Sequence, residues 1–184
     1  MVSPGLITDA ERKELLAEAT FHRARARRTV RPDWRVVDGR QFLGPARFWY
    51  SLDGVRREAL HERLEPRVRA LTARPMRPVQ SNYLYYEQGD FLGLHHDQAR
   101  CPYTVIALLD GPAEPLCLHS EVVGVPAEQL SGLVEPGGHT GGTELSLSDG
   151  ALVFAGGVLP HHRMPRRTAD RITIVTFCFT DEPV

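Results

Sequence analysis

The chain has 184 residues, 42% hydrophobic and 24% charged, the length of one domain and the composition of an ordinary globular protein. Its net charge of −1 supplies no global attraction to nucleic acid, and no apolar run reaches membrane-spanning length. Residues 1–10 lack a basic segment followed by an apolar stretch, so no secretion signal is expected. Cys101, Cys117 and Cys178 are odd in number and far apart, which argues against a disulfide framework or a Cys-x-x-Cys metal site and for a reducing cytoplasm.

In chain order, Thr8 and Glu11 form a capping box ahead of Leu15, Leu16 and Ala19 at helical spacing. The segment holding Arg23, Arg25, Arg27, Arg28, Arg31 and Arg35 reads as a solvated helix end, where cations suit the C-terminal dipole. A footprint for a phosphate-bearing partner is the other reading. Residues 34–37 and 42–50 look like short strands or irregular packing. A second helix is predicted over residues 53–72, with Leu60, Leu64, Val68 and Leu71 on one face and Pro75 and Pro78 beyond its end.

From Val79 onward the pattern changes to short β runs separated by Gly, Pro and Asp. Strands are predicted over residues 81–87, 103–109, 116–123, 143–147, 151–155 and 172–180. The last is apolar on both faces and therefore central. The chain reads as one α+β domain, with residues 1–78 mainly helical and packed on a jelly roll formed by 79–184.

Two histidines and a carboxylate on one face of an ion leave the opposite positions open for O₂ and an organic ligand, the arrangement of non-haem Fe(II) oxygenases. His95-His96-Asp97 supplies a His-x-Asp pair. In an extended segment His95 and Asp97 point the same way while His96 faces elsewhere. His119-Ser120-Glu121 is a competing His-x-Glu pair, better read as the polar face of a strand than as a second metal site. Only His95 has Tyr86, Gly89 and Leu92 at minus nine, minus six and minus three.

This Tyr-x-x-Gly-x-x-Leu-x-x-His-x-Asp pattern resembles the prolyl-hydroxylase-like branch of the Fe(II)/2-oxoglutarate-dependent oxygenases. Residues 149–154 lead into Pro160-His161-His162-Arg163-Met164-Pro165, which is similar to the family's His-x-Val-x-Pro element, with Met164 in place of valine. Gly141-Gly142-Thr143-Glu144-Leu145 resembles its Gly-Gly-x-x-Leu strand. The likeness covers roughly residues 81–179. Gly124 to His139 has no counterpart, and Leu108 falls where some relatives carry a second polar contact to the co-substrate.

The resemblance implies a double-stranded β-helix. It implies Fe(II) held by His95, Asp97 and His162, with the adjacent His161 as the alternative ligand. Arg171, nine residues after His162, would bind 2-oxoglutarate, aided by Thr173 and by Tyr86 (or Tyr85). An arginine suits that role because its planar fork binds a carboxylate bidentately and keeps its charge.

The implied activity consumes O₂ and couples oxidative decarboxylation of 2-oxoglutarate to C–H oxidation, most simply hydroxylation. With Asp97 retained, halogenation is disfavoured. The substrate would be a small, amino-acid-like molecule or, alternatively, a prolyl residue in a protein. Nucleic-acid dealkylases of the family carry a further arginine that residues 172–184 lack, so no nucleic-acid partner is expected. A cupin-like metal-binding module without oxygenase activity is the reading from a different class.

Overall fold

The computed structural model describes residues 1–38, 41–113, 115–133, 142–148, 150–163 and 170–181. Helix α1 (Asp9–His22) starts at the anticipated capping box. Thr8 Oγ1 accepts from the Glu11 N–H at 3.2 Å, and the Glu11 carboxylate accepts from the Thr8 N–H at 2.9 Å. Helix α2 (Val55–Thr72) buries Leu60, Leu64 and Val68 and ends at Ala73 in the left-handed region. Its N-cap, Gly54, has no side chain to offer. Glu18 of α1 instead accepts from the N–H groups of Arg56 and Arg57 at 2.9 and 3.0 Å, closing two otherwise open donors.

Thirteen strands are present among the described residues: β1 (Val2–Ser3), β2 (Arg27–Arg31), β3 (Arg35–Val37), β4 (Gln41–Leu43), β5 (Ala46–Ser51), β6 (Arg77–Tyr86), β7 (Phe91–His95), β8 (Tyr103–Asp110), β9 (Leu116–Leu118), β10 (Thr143–Leu145), β11 (Ala151–Phe154), β12 (His161–Arg163) and β13 (Ile172–Thr180). The antiparallel order is β1-β11-β8-β13-β6-β5-β7-β12-β9-β10, with β2 on β5 and β4 on β7. The sheet curls on itself into a double-stranded β-helix, a jelly roll with the two helices outside. Its interior holds Tyr86, Ile106, Leu118, Leu152, Phe154, Ile172 and Ile174. The outer face of β6, β8 and β13 presents Tyr83, Tyr85, Val105, Val175 and Phe177 to Leu15, Leu60 and Leu64 of the helices. Alternation along β13 therefore assigns even residues to the roll and odd ones to the helices.

Several expectations are corrected here. The first 78 residues are not mainly helical, because four strands, β2–β5, lie between α1 and α2. The arginine-rich segment is a 3₁₀ turn followed by β2. Arg28 makes a two-pronged pair with the buried Asp90 at 2.7 and 3.2 Å, Arg23 pairs with Glu87, and Arg31 donates to the Gly44 carbonyl at 2.5 Å. Charges that look solvated in sequence thus tie this hairpin to the β6–β7 turn. The strand expected over 116–123 stops at Leu118 and gives way to a 3₁₀ turn, Ser120–Val122. The Gly124–His139 insertion lies outside the described residues from 134 onward. Before that, Leu130 packs on Phe42 and Leu94 in a small separate core. Finally, Cys101 and Cys178 form a disulfide, Cα to Cα 5.2 Å across 77 residues of sequence, and Cys117 is free and buried. Counting cysteines misses this pairing, because only the β8–β13 register brings the two together.

Candidate metal centre

The β7–β12 pairing sets His161 directly opposite His95, so the two side chains emerge on the same face. Their rings lie 4.0 Å apart. Each is turned by its own strand. His95 Nδ1 bonds the Gly93 carbonyl at 2.9 Å and His161 Nδ1 bonds the Leu159 carbonyl at 2.9 Å. Both Nε2 atoms therefore face Asp97, whose Oδ1 lies 3.8 Å from that of His95 and 3.7 Å from that of His161. One ligand atom from each residue falls within 4.8 Å of the others, the single such group of His, Cys, Asp or Glu among the described residues.

The surroundings fix the carboxylate. Thr104 on β8 donates its hydroxyl to Asp97 Oδ2, and the Asp97 N–H bonds the Gly156 carbonyl at 2.9 Å. A Cβ at Gly156 would collide with the Asp97 carboxylate and crowd the Thr104 hydroxyl, so the glycine is a spatial requirement. The imidazoles are almost fully buried while the Asp97 side chain is 22% exposed, which leaves the carboxylate side open to arriving ligands. Burial, and then His161, hold the His95 imidazole well below the ordinary histidine value. It is neutral at neutral pH, the form that ligates metals. Two imidazoles with carbonyl-oriented rings and a carboxylate fit a divalent first-row ion such as Fe(II).

His162, the expected ligand, points the other way. Its Nδ1 meets His119 Nε2 at 2.7 Å, and His119 Nδ1 meets Glu121 at 2.8 Å, all on the β9 side of the strand. Adjacent residues of a strand face opposite sides, so only one histidine of the pair can join His95. A signal for His161 stood in the sequence. Counted from His161, the proline of a His-x-x-x-Pro element falls on Pro165; counted from His162 it does not. Met164, Pro165, Gly141 and Asp149 lie outside the described residues. Thr104 and Gly156 escaped the reading because neither belongs to a quoted motif. His96 faces away as anticipated, its Nδ1 accepting from the Phe42 N–H at 3.3 Å.

The expected co-substrate residues divide. Tyr86 points into the roll, whereas Tyr85 lies beneath the helices and donates to the Ala19 carbonyl at 2.8 Å. Arg171 precedes β13 on the helix-side parity, is 53% exposed and sits 3.6 Å from Glu87. Thr173 is buried opposite Tyr85, on that same side. The structure brings neither Arg171 nor Thr173 to the His95–Asp97–His161 group. Arg163, two residues beyond His161, is 3% exposed and sets its guanidinium 5.1 Å from the centre of the Tyr86 ring.

No protein-family model matches the sequence, and no curated protein does either. Solved structures do. The non-haem α-ketoglutarate-dependent epimerase SnoN from nogalamycin biosynthesis aligns at TM-score 0.65 and 21% identity over 97% of this chain and 76% of its own. HygX from Streptomyces hygroscopicus, with nickel, 2-oxoglutarate and hygromycin B bound, gives 0.64 and 14% over 97% and 81%. A Pseudomonas putida prolyl-4-hydroxylase gives 0.59 and 13% over 99% and 92%. At these identities the likeness is one of architecture: the chain has the double-stranded β-helix fold of the 2-oxoglutarate-dependent oxygenases.

Proposed function

We propose that this protein is a non-haem Fe(II) enzyme that couples oxidative decarboxylation of 2-oxoglutarate to hydroxylation of a C–H bond in a small molecule. One observation carries the reading: His95, Asp97 and His161 aim three ligand atoms at one point at the edge of the roll, the facial donor set that leaves half the coordination sphere open. Iron bound there would supply O₂ activation. The chain's own residues do the rest. Gly93 and Leu159 carbonyls orient the imidazoles, Thr104 holds one carboxylate oxygen so that the other faces the ion, and Phe154, edge-on to His161 at 4.8 Å, walls the site with apolar surface that excludes water.

A small-molecule substrate is supported by the likeness to SnoN and to HygX with hygromycin B bound. The prolyl-4-hydroxylase, 92% of which this chain covers, favours a peptidyl substrate as the second reading. No helix among the described residues is long and apolar enough to cross a membrane. The Cys101–Cys178 bond removes the cysteine argument for a reducing compartment.

The test is anaerobic titration of the Fe(II)-loaded protein with 2-oxoglutarate, followed by succinate release in air. Iron-dependent binding with succinate formed supports the reading, and stimulation by free amino acids or by peptides separates the two substrate classes. A protein that takes up iron and ignores 2-oxoglutarate at millimolar concentration is a metal-binding jelly roll instead.

A further inference from the structure

We propose that Arg31 and Arg35 bind an oxyanionic group of the primary substrate, a carboxylate or a phosphate, beside the metal centre, so that the enzyme selects anionic small molecules. This rests on the oxygenase reading above and narrows its substrate class. The inter-strand register places both cations. Arg35 on β3 stands opposite Leu43 on β4, Leu43 opposite His95 on β7, and His95 opposite His161. Directly opposed residues of antiparallel strands project to one face, so Arg35 belongs to the row of the two imidazoles. Its backbone lies two strands, roughly 10 Å, from that of His95. Arg31 on β2 heads a second row, opposite Ala46 on β5, which in turn stands opposite Leu92 on β7. A register shift where β7 meets β12 turns Leu92 and His95, three residues apart, to the same face. Both rows therefore open on the metal side of the sheet.

The surroundings suit an anion. Exposure rises along the first row, from buried His95 through half-buried Leu43 to exposed Arg35, which makes Arg35 the outer end of an approach to the site. Arg31 is half-buried and held by one bond, from Nε to the Gly44 carbonyl at 2.5 Å. Its two terminal nitrogens make no hydrogen bond among the described residues. Burial, and then Arg35, draw the Arg31 guanidinium below its ordinary value, and Arg31 adds to burial and His161 in lowering the His95 imidazole, so the three groups are near neighbours. Arg23, Arg28 and Arg47 of the same region each have a carboxylate partner. Among the described residues, Arg31 and Arg35 have none. Two like charges held together without a counterion repel. An oxyanion between them removes the repulsion and accepts the two-pronged bonds that a guanidinium offers. Phe48, two residues along β5 from Ala46, shares the same face and packs against the interior cluster, which gives the substrate's carbon skeleton an apolar floor.

The experiment measures dissociation constants by calorimetry on the protein loaded with iron and 2-oxoglutarate, without oxygen. The probes are phenylacetate, N-acetylleucine and N-acetylproline, each against its neutral primary amide, with phenyl phosphate against phenol as the phosphate arm. In wild type the charged member of a pair should bind roughly 10- to 100-fold more tightly, the worth of hydrogen bonds to a charged group, and the arm with the larger ratio identifies the oxyanion. That preference should fall about tenfold in Arg31→Gln and in Arg35→Gln, and return in part in Arg35→Lys. It should persist in Arg25→Gln, an exposed arginine outside both rows. Arg35 is exposed, so its replacement spares the core, and a ratio taken within each variant cancels general damage to the fold. Charged and neutral probes that bind alike, no charged probe bound at millimolar concentration, or a preference that survives loss of both arginines overturns the proposal and leaves the oxygenase reading standing. Failure of the iron-loaded wild type to bind 2-oxoglutarate overturns that reading and this one with it.

Discussion

At the scale of single residues, the direction of one side chain decides what the chain can do. His161 and His162 are chemically identical neighbours, yet one faces Asp97 and the other faces His119. Removing a supporting group around a metal costs roughly 10- to 100-fold in affinity. His161→Ala should exceed that range, while His162→Gln should shift Fe(II) or Co(II) affinity by less than about tenfold. Calorimetric metal titration of the two variants distinguishes the ligand from its neighbour, and an equal loss in both would undo the assignment. Thr104→Val and Gly156→Ala each keep the identity of all three candidate ligands. Both should fall within the 10- to 100-fold range, because one releases and the other displaces the Asp97 carboxylate. The His-x-Asp pair was legible because its spacing repeats the strand period. For the distal histidine the sequence held only the spacing to Pro165, while adjacent histidines on a strand face opposite sides and a one-residue change of register exchanges them.

Helices and strands hold this site through contacts distant in sequence. Glu18 of α1 caps α2 and also accepts from the Tyr83 hydroxyl at 2.7 Å, joining two helices and β6 through one carboxylate. Glu18→Ala should cost about 1–2 kcal/mol in urea unfolding, the range for a lost helix cap. On α2, His61 lies against Phe177 and Phe179 and donates to the Cys178 carbonyl at 2.9 Å. Burial lowers it to about 4, and the carbonyl bond only partly opposes this. The unfolded chain therefore takes up a proton near pH 6.5 that the folded chain refuses until near pH 4. Stability is fully present above pH 6.5 and falls as the pH drops through that interval, by about 2–3 kcal/mol at pH 4.5. His61→Phe should remove about that much of the difference between unfolding at pH 7.5 and at pH 4.5; an unchanged difference would show that His61 is not the group responsible. At this scale the long apolar runs were read correctly: β8, β11 and β13 lie within a residue of expectation. Strand β2 was missed because its Arg-rich run carries no apolar alternation, and β12 because three residues bear no period.

Across the whole molecule, the β8–β13 pair is the spine on which the roll, the helices and the disulfide depend. Residues 101 and 178 enclose a long loop, so breaking their bond should cost about 3–4 kcal/mol, measurable as a lower urea midpoint under reductant and in the Cys101→Ala, Cys178→Ala variant. A midpoint indifferent to reductant would mean that the thiols stay apart in solution. What the sequence by itself determined is whatever rests on local period and residue chemistry: the capped first helix, the apolar face of the second, the buried last strand, and a His-x-Asp pair suited to a divalent ion. What only the tertiary structure decided is which face each side chain takes. Inter-strand register placed His161 rather than His162 beside Asp97 and Arg163 rather than Arg171 inside the roll, and it brought two cysteines within bonding reach. The physical reason is that a strand's own sequence specifies alternation, whereas the partner strands across the sheet specify its phase.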